Sequence, residues 1–506
     1  MKKITTLLFC IIANFSLLAQ PGTIDNSFGQ NGFVNTAVTG IHSFPGATIV
    51  QDDGKIIVIG FAGESTTYKP TVVRYNTNGT LDNSFGNNGT LIIPIGNAIS
   101  HASDVALQAD GKIVIAAYTW NNSVSEFAAI RLNSNGTFDN SFGNQGIKIF
   151  TKTGSGMPAS IRIQDDGKIL LGGFFNEDFA VLRMENDGTL DTSFGVNGWA
   201  IIDFTDASAH INEIEIQPDG KIILGGSLDN DVQIREMAVA RLNTDGSLDN
   251  TFGNQGKLRF NIGNGDDNLS GLVIQNDGKI VLGGHSWISN VELKYDFALI
   301  RLNSDGSFDA TYGNNGVVTS QIVNGSNFLN SILLQEDQKL LMVGTTMNSN
   351  DFNFALLRFD TNGNLDSSFG NSGKISFDYQ GNESHGNDLD LQPDGKIMML
   401  GHSFTSPSTI EMISMRFNND DIVGLTNYTK GELKLYPNPA KDFISIELEE
   451  SSEQLQLAIS DIMGRVVYEN HLTNSLNIDV SNFKSGTYFV KIIGNNRSEV
   501  IKFVKN

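Results

Sequence analysis

The residues able to do chemistry fall into a repeated set and a scattered set. Arginine ends a short apolar run seven times, at Arg74, Arg131, Arg183, Arg241, Arg301, Arg358 and Arg416. Aspartate opens an Asp-x-Ser/Thr-Phe/Tyr-Gly motif seven times, at Asp25, Asp82, Asp139, Asp191, Asp249, Asp309 and Asp366. A catalytic centre needs one copy of each group, whereas a partner set present in every unit suits a structural ion pair. The histidines at 42, 101, 210, 285, 385, 402 and 471 show no metal-ligand spacing. No Gly-x-Ser-x-Gly, His-Glu-x-x-His or phosphate-binding Gly-x-x-x-x-Gly-Lys motif is present, so no catalytic residue and no metal ligand is assigned. Carboxylates are abundant, and a glycosidase-like pair is defined by separation rather than by motif, so that chemistry stays open at this point.

Calcium is the cofactor that merits a test. Asn243 to Asp249 resembles the middle of an EF-hand loop. With Gly246 at the sixth position, the first ligand position falls on Arg241 and the twelfth on Phe252, and neither supplies the oxygens required. Incidental calcium binding elsewhere in the repeats stays open; otherwise no cofactor is expected.

The elements that must position these groups follow from a repeat. The aromatic residue of the aspartate motif stands at Phe28, Phe85, Phe142, Phe194, Phe252, Tyr312 and Phe369, at steps of 52 to 60 residues. A Gln-x-Asp-Gly-Lys motif recurs in phase, ending at Lys55, Lys112, Lys168, Lys221, Lys279, Lys339 and Lys396, with Gln338 replacing the glycine once. One unit reads as four strands: Ile147–Phe150, Ser160–Gln164, Lys168–Gly173 and Phe179–Arg183. Asp166-Gly167 is expected to form a two-residue type I′ hairpin. Four antiparallel strands per unit and seven units predict an all-β fold, a seven-bladed β-propeller over residues 22–420. The chain enters the first unit half-way through a turn and leaves the last one without its Ser-Phe-Gly. The segment after Gly32 should therefore pack beside the seventh blade and close the ring. The three motifs resemble the delta-60 repeat of exported bacterial proteins, a resemblance that implies the fold and no defined activity.

Loop comparison locates a working face. The Asp-Gly turns are near-identical, whereas the loops opposite them vary: Phe61–Pro70, Tyr118–Glu126, Phe174–Asp178, Ser227–Glu236, His285–Asp296, Thr345–Asp351 and His402–Thr409. Variable loops on a rigid scaffold carry binding. Tyr68, Trp120, Trp287, Tyr295 and Phe404 are the candidate ligand-binding aromatics there, with His101 and His285 beside them and His42 and His210 in loops on the same side. Rings flanked by polar groups suit a glycan or a protein ligand. Trp199 is expected to be packing.

Net charge is −22 with 56 acidic residues against 34 basic ones, which argues against nucleic-acid binding and against adhesion to an anionic membrane. Residues 1–19 read as a signal peptide, with Lys2 and Lys3 before the apolar run and a cleavage point after Ala19. Cys10, the single cysteine, lies inside it, so the mature chain has no disulfide and no thiolate chemistry. No later apolar run is long enough for a transmembrane helix.

Residues 421–432 read as a linker and 433–506 as a small C-terminal β-sandwich. The start Tyr436-Pro437-Asn438-Pro439, a central Asp-x-x-Gly-Arg containing Gly464, and an end containing Gly486 and Tyr488 resemble the type IX secretion C-terminal sorting domain of Bacteroidetes. That resemblance implies recognition by the type IX machinery, and release or attachment at the cell surface. The preferred reading is an exported, non-catalytic binding scaffold. The alternatives are a secreted polysaccharide-active enzyme using carboxylates with His101 or His285, and a passive surface or matrix component.

Overall fold

The computed structural model describes residues 20–505 apart from 39–41, 65–66, 97–98, 122–123, 231–233, 264, 288–293, 350, 407–408, 421–432, 449–454, 462–465, 473–474, 485 and 494–497. The expected signal peptide, the linker and Gly464 lie outside the described residues. Every regular element among the described residues is a strand.

The strands form seven four-stranded antiparallel blades. Blade 2 shows the order from the inside outwards: Ser100–Leu107, Ile113–Asn121, Val124–Leu132, Ile147–Phe150. The inner strands of the other blades, 1 and 3 to 7, are His42–Val50, Gly156–Ile163, Ala207–Ile216, Asp267–Ile274, Ser326–Leu334 and Ser384–Leu391. Each inner strand lies against the next, and the seventh against the first, so the ring is closed. Phe33–Thr36 is the outermost strand of blade 7, pairing from Phe33 with Met415 to Thr36 with Met412.

Two details differ from the sequence reading. Ile147–Phe150 does not share a blade with the strands that follow it; it pairs with Val124–Leu132, the strand just left. The tight return turn folds the chain straight back onto its predecessor, and the longer connection afterwards crosses to the inner edge of the next blade. The Asp-Gly turn is not type I′ either. Gly167 has φ of 85° while Asp166 keeps negative φ. Gly167 N donates to Gln164 O at 2.8 Å and Gln164 N to Lys168 O at 2.8 Å, giving a three-residue loop with glycine in the left-handed position. Asp166 stays in place by accepting the Lys168 N–H at 3.1 Å.

The second strand of each blade is apolar along its whole length because a blade is covered on both sides. Successive side chains point to opposite faces. Ile113, Ile115 and Ala117 therefore pack on blade 1, while Val114 and Ala116 pack on blade 3. Seven such inter-blade cores encircle the ring, and the last joins Phe28, Ile56 and Val58 to Met398 and Met412. Each fully buried Phe or Ile contributes about 1.5–3 kcal/mol.

Every inner strand carries a bulge, as between Ala102 and Asp104 or Gly386 and Asp388. In blades 2, 4, 5 and 6 the extra residue is a Ser or Asn whose side chain donates to a carbonyl of the next blade. Ser103 Oγ donates to Pro158 O and Ser270 Oγ to Leu329 O, both at 2.8 Å. The bulge thus re-aims a side chain to tie adjacent inner strands together.

The C-terminal region is a two-sheet sandwich. Leu433–Tyr436, Phe443–Leu448 and Ser475–Asp479 form one sheet; Leu455–Asp461, Val466–Leu472, Gly486–Ile493 and Ser498–Lys505 form the other. Ile444, Ile446, Leu457, Ile459, Val490 and Phe503 form its core. Of the sorting motif, Tyr436 is exposed and donates to Glu447, Asn438 Oδ1 accepts Val504 N at 2.9 Å, and buried Tyr488 donates to Lys484 O at 2.9 Å. Pro437, Pro439 and Gly486 are exposed.

Candidate functional site

The three repeated motifs meet at one node per blade interface. At the fourth, Arg241 Nε donates to Asp249 Oδ2 at 2.8 Å, and Lys221 Nζ stands 3.0 Å from the same oxygen. Arg241 also donates to the Ser304 carbonyl of blade 5 and lies over the Phe252 ring at 4.8 Å. Asp249 Oδ1 accepts the Thr251 backbone and hydroxyl at 3.0 and 2.7 Å. The seven Arg–Asp pairs (74–82, 131–139, 183–191, 241–249, 301–309, 358–366 and 416–25) span 2.7–2.9 Å. All seven guanidiniums lie 4.2–4.9 Å from a ring centroid. Burial alone would raise Asp25; the Lys396 and Ser27 hydrogen bonds and the Arg416 charge outweigh it and hold the carboxyl well below its usual range. Arg241 and Phe252, at the first and twelfth positions of the EF-hand register, contact each other. Among the described residues no group of three or more His, Cys, Asp or Glu side chains is placed to hold a metal ion.

The second assembly is at the channel mouth, on the variable-loop side. One register position per blade brings two side chains together there: Phe44/Phe61, His101/Tyr118, Met157/Phe174, His210/Ser227, Asn268/His285, Phe328/Thr345 and His385/His402. Over four consecutive blades the rings form an unbroken run. Phe352 lies 4.9 Å from His385, which stacks on His402 at 4.9 Å; His402 meets Phe44 at 5.8 Å. Phe44 stacks on Phe61 at 5.0 Å, Phe61 on His101 at 3.7 Å, and His101 Nδ1 bonds Tyr118 Oη at 2.6 Å. Tyr68 flanks Phe61 and His101, and Phe404 flanks His385 and His402. Tyr295, His285 and Phe328 form a smaller group on blades 5 and 6.

Burial pushes His101 and His285 down to about 4 and His402 to about 3, so all three are neutral imidazoles at neutral pH. His101 Nε2 and His42 Nδ1 are buried without a hydrogen-bond partner among the described residues.

The structure therefore unites Tyr68 with His101, Tyr295 with His285, and Phe404 with the His385–His402 stack. It leaves Trp120 and Trp287 further out. Trp120 pairs with Ser125 two residues beyond Tyr118, and the Trp287 ring covers Gly265. The histidines at 42, 101, 210, 285 and 402 belong to strands, not loops, because each blade extends past the point where the alternating pattern ends. Trp199 is buried against Phe127 and Phe175.

Sequence reasoning did not find the charged lumen below the mouth. Arg162 of blade 3 contacts Glu213 and Glu215 of blade 4, each at 2.8 Å, and Asp104 of blade 2 at 3.4 Å. Asp388 and Asp390 of blade 7 accept the Thr48 and Val50 N–H groups of blade 1 at 2.8 and 2.7 Å. Desolvation raises Asp388 and Asp390 to about 6, and it raises Asp104 and Glu213 above the ordinary carboxylate range against the pull of Arg162. The available signal was polar residues alternating within strands such as Asn387-Asp388-Leu389-Asp390. A separate cavity of about 890 Å³ lies between the outer strand of blade 2 and a turn of blade 3, lined by residues that include Phe138, Lys148 and Asp187.

Residues 434–506 match the model of a secretion system C-terminal sorting domain. Six segments, 51–85, 108–142, 164–194, 217–252, 275–312 and 335–369, match a domain of unknown function, the DUF5122 β-propeller. The seventh copy is split between the two ends of the propeller, with Lys396 and Arg416 at one and Asp25 and Phe28 at the other. No curated protein matches the chain. Similar solved structures include a protein of unknown function from Dyadobacter fermentans DSM 18053 at 8% identity, covering 79% of this chain and 98% of that one, with a TM-score of 0.39. The polysaccharide lyase Uly1 is 11% identical over 78% and 93%, with a TM-score of 0.46. An ulvan lyase of polysaccharide lyase family PL25 is 14% identical over 77% and 95%, with a TM-score of 0.44. Likeness at this level says nothing of a shared activity. The chain is a DUF5122-repeat β-propeller protein that ends in a type IX secretion C-terminal sorting domain and is exported to the cell surface or beyond.

Proposed function

We propose that this exported propeller is a non-catalytic binding scaffold whose ligand docks across the channel mouth. One observation carries the reading: the unbroken run of rings from Phe352 through His385, His402, Phe44, Phe61 and His101 to Tyr118. These rings are only partly buried, in contrast with the interface rings such as Phe85, which are 0% exposed. A partly exposed aromatic run has contact area to offer a ligand; a fully buried ring has none. The repeated ion pairs belong to the scaffold, since each arginine lies on the third strand, away from the lumen, and also hydrogen-bonds the chain of the next blade.

A second reading, a polysaccharide-active enzyme, draws on Asp104, Asp388, Asp390 and Glu213, whose raised protonation points would suit proton donors. Against it, Asp104 and Glu213 are engaged by Arg162, and all four lie below the mouth rather than in the loops.

The test is an array of glycans and peptides probed with the full chain and with Phe44→Ala, Phe404→Ala and the rim variant Phe308→Ser, which alters an exposed ring in the return turn after the third strand of blade 5. Binding abolished by the mouth variants and kept by the rim variant is the expected result. Ligands retained by both mouth variants would overturn the assignment. New reducing ends or unsaturated products in polysaccharides incubated with the chain would replace it with the enzymatic reading.

A further inference from the structure

We propose that the mouth receives a lysine or arginine side chain from an extended polypeptide segment, its stem lying against the rings of blades 7 and 1 and its cationic head reaching Asp388 and Asp390. This rests on the binding reading above and specifies the ligand for it.

The first argument is charge. The lumen walls carry Asp104, Glu213, Glu215, Asp388 and Asp390 against one cation, Arg162, the sole lysine or arginine on the seven inner strands. Arg162 is committed to the carboxylates of blades 2 and 4. Asp388 and Asp390 stand on the other side of the ring. Their partners are backbone N–H groups and, for Asp388, the Ser331 side chain, and among the described residues neither has a cation within ion-pair distance. A carboxylate has about four acceptor positions, so backbone bonding leaves room for an ammonium or guanidinium. The chain's charge of −22 draws a basic partner towards it at long range.

The second argument is depth. His385 pairs with His402 and Asp388 with Leu400, so the two levels lie two residues apart along the paired strand. At 3.3–3.4 Å per residue that is about 7 Å. The stem of a lysine or arginine spans that depth. An amino sugar carries its ammonium directly on the ring and stops at the mouth.

The third argument is the lining of the entrance. Phe44, His402, His385 and Phe404 lie within 6.0 Å of one another in sequence around the entry. Their faces attract a cation that has shed water. His402 is held neutral by burial and by the neighbouring imidazole, so it does not repel one.

The experiment uses the full chain and an array of synthetic peptides bearing Lys or Arg at the centre, each beside the same peptide with Gln or Glu there, with glucosamine oligomers and neutral glycans on the same array. Lys or Arg peptides should bind at least tenfold more strongly than their Gln counterparts, and more weakly as salt is raised. The double variant Asp388→Asn/Asp390→Asn should erase that difference. It should still fold, because the Asn oxygen can accept the same Thr48 and Val50 N–H groups; circular dichroism verifies this. Equal binding of Lys and Gln peptides, preference for the amino sugar, no binding of any Lys or Arg peptide, or an unchanged preference in the folded double variant would each overturn the inference. A neutral glycan that binds and is lost in Phe44→Ala would overturn it while leaving the binding reading intact.

Discussion

Removing the Asp25 charge should unlatch the ring at one place. Asp25 sits 391 residues from its partner Arg416 and is bonded by it at 2.8 Å and by Lys396 at 2.6 Å. Asp25→Asn keeps the shape and the Ser27 contacts but leaves two cations facing a neutral group. Removing one partner of a buried ion pair costs about 3–5 kcal/mol. The Lys396 side chain is 29% exposed and can turn to water, whereas that of Arg416 is 8% exposed and cannot, which places the cost near the lower end, about 3 kcal/mol. At about 1.36 kcal/mol per tenfold, an opening equilibrium rises roughly 150-fold. What opens is set by topology. Residues 20–36 are held to blade 7 by one four-residue strand and bonds such as Asp25 N to Arg416 O at 2.8 Å and Arg416 N to Gly32 O at 3.1 Å. Amide hydrogen exchange resolved by mass spectrometry should therefore show accelerated exchange in 20–36 and 409–417, with blade 4 unchanged. Asp249→Asn makes the same chemical change where both sides are covalently continuous, and should give a smaller, local rise. A change below about fivefold (1 kcal/mol) in 20–36, or an equal rise in blade 4, would refute the reasoning.

Two further outcomes are expected. Gly246 and Gly167 both have φ of 85°, but a Cβ on Gly246 meets Gly195 N at 2.8 Å and the Phe194 ring at 2.9 Å, while one on Gly167 meets nothing within 4 Å. Thermal unfolding should show Gly167→Ala costing about 1 kcal/mol of left-handed strain and Gly246→Ala about 3 once overpacking is added, and equal melting points would contradict this. His101, His285 and His402 should stay neutral at pH 6 in imidazole nitrogen NMR, because burial holds the first two at about 4 and the third at about 3. Their folded-state values lie below the ordinary value of about 6.5, so the unfolded chain binds more protons in between, and stability falls as pH drops from about 6.5 towards 4. Titration near 6.5 would show these rings to be solvated.

The scaffold was legible because its rules are local and repeated. Apolar runs, Asp-Gly turns and one charged pair per unit announce strands, turns and staples wherever they occur, and seven of each predict seven blades. Even the ring closure follows from what one end of the repeat region has and the other lacks. The site is different in kind. Trp120 and Trp287 stood out as large aromatics, yet register places them beyond the mouth, while His402, Phe44 and Phe61, unremarkable in sequence, meet there. The bulge in each inner strand is the physical cause. One unpaired residue keeps His385 and Asp388 on the same side of the strand, where strict alternation would have separated them. Sequence by itself determined the blades, the staples and the export signal, because each depends on neighbours along the chain or on its own repetition. Only the closed ring decided which side chains share the mouth and the lumen, because residues as far apart as Asp104 and Asp388 face one another only once seven inner strands surround a common axis.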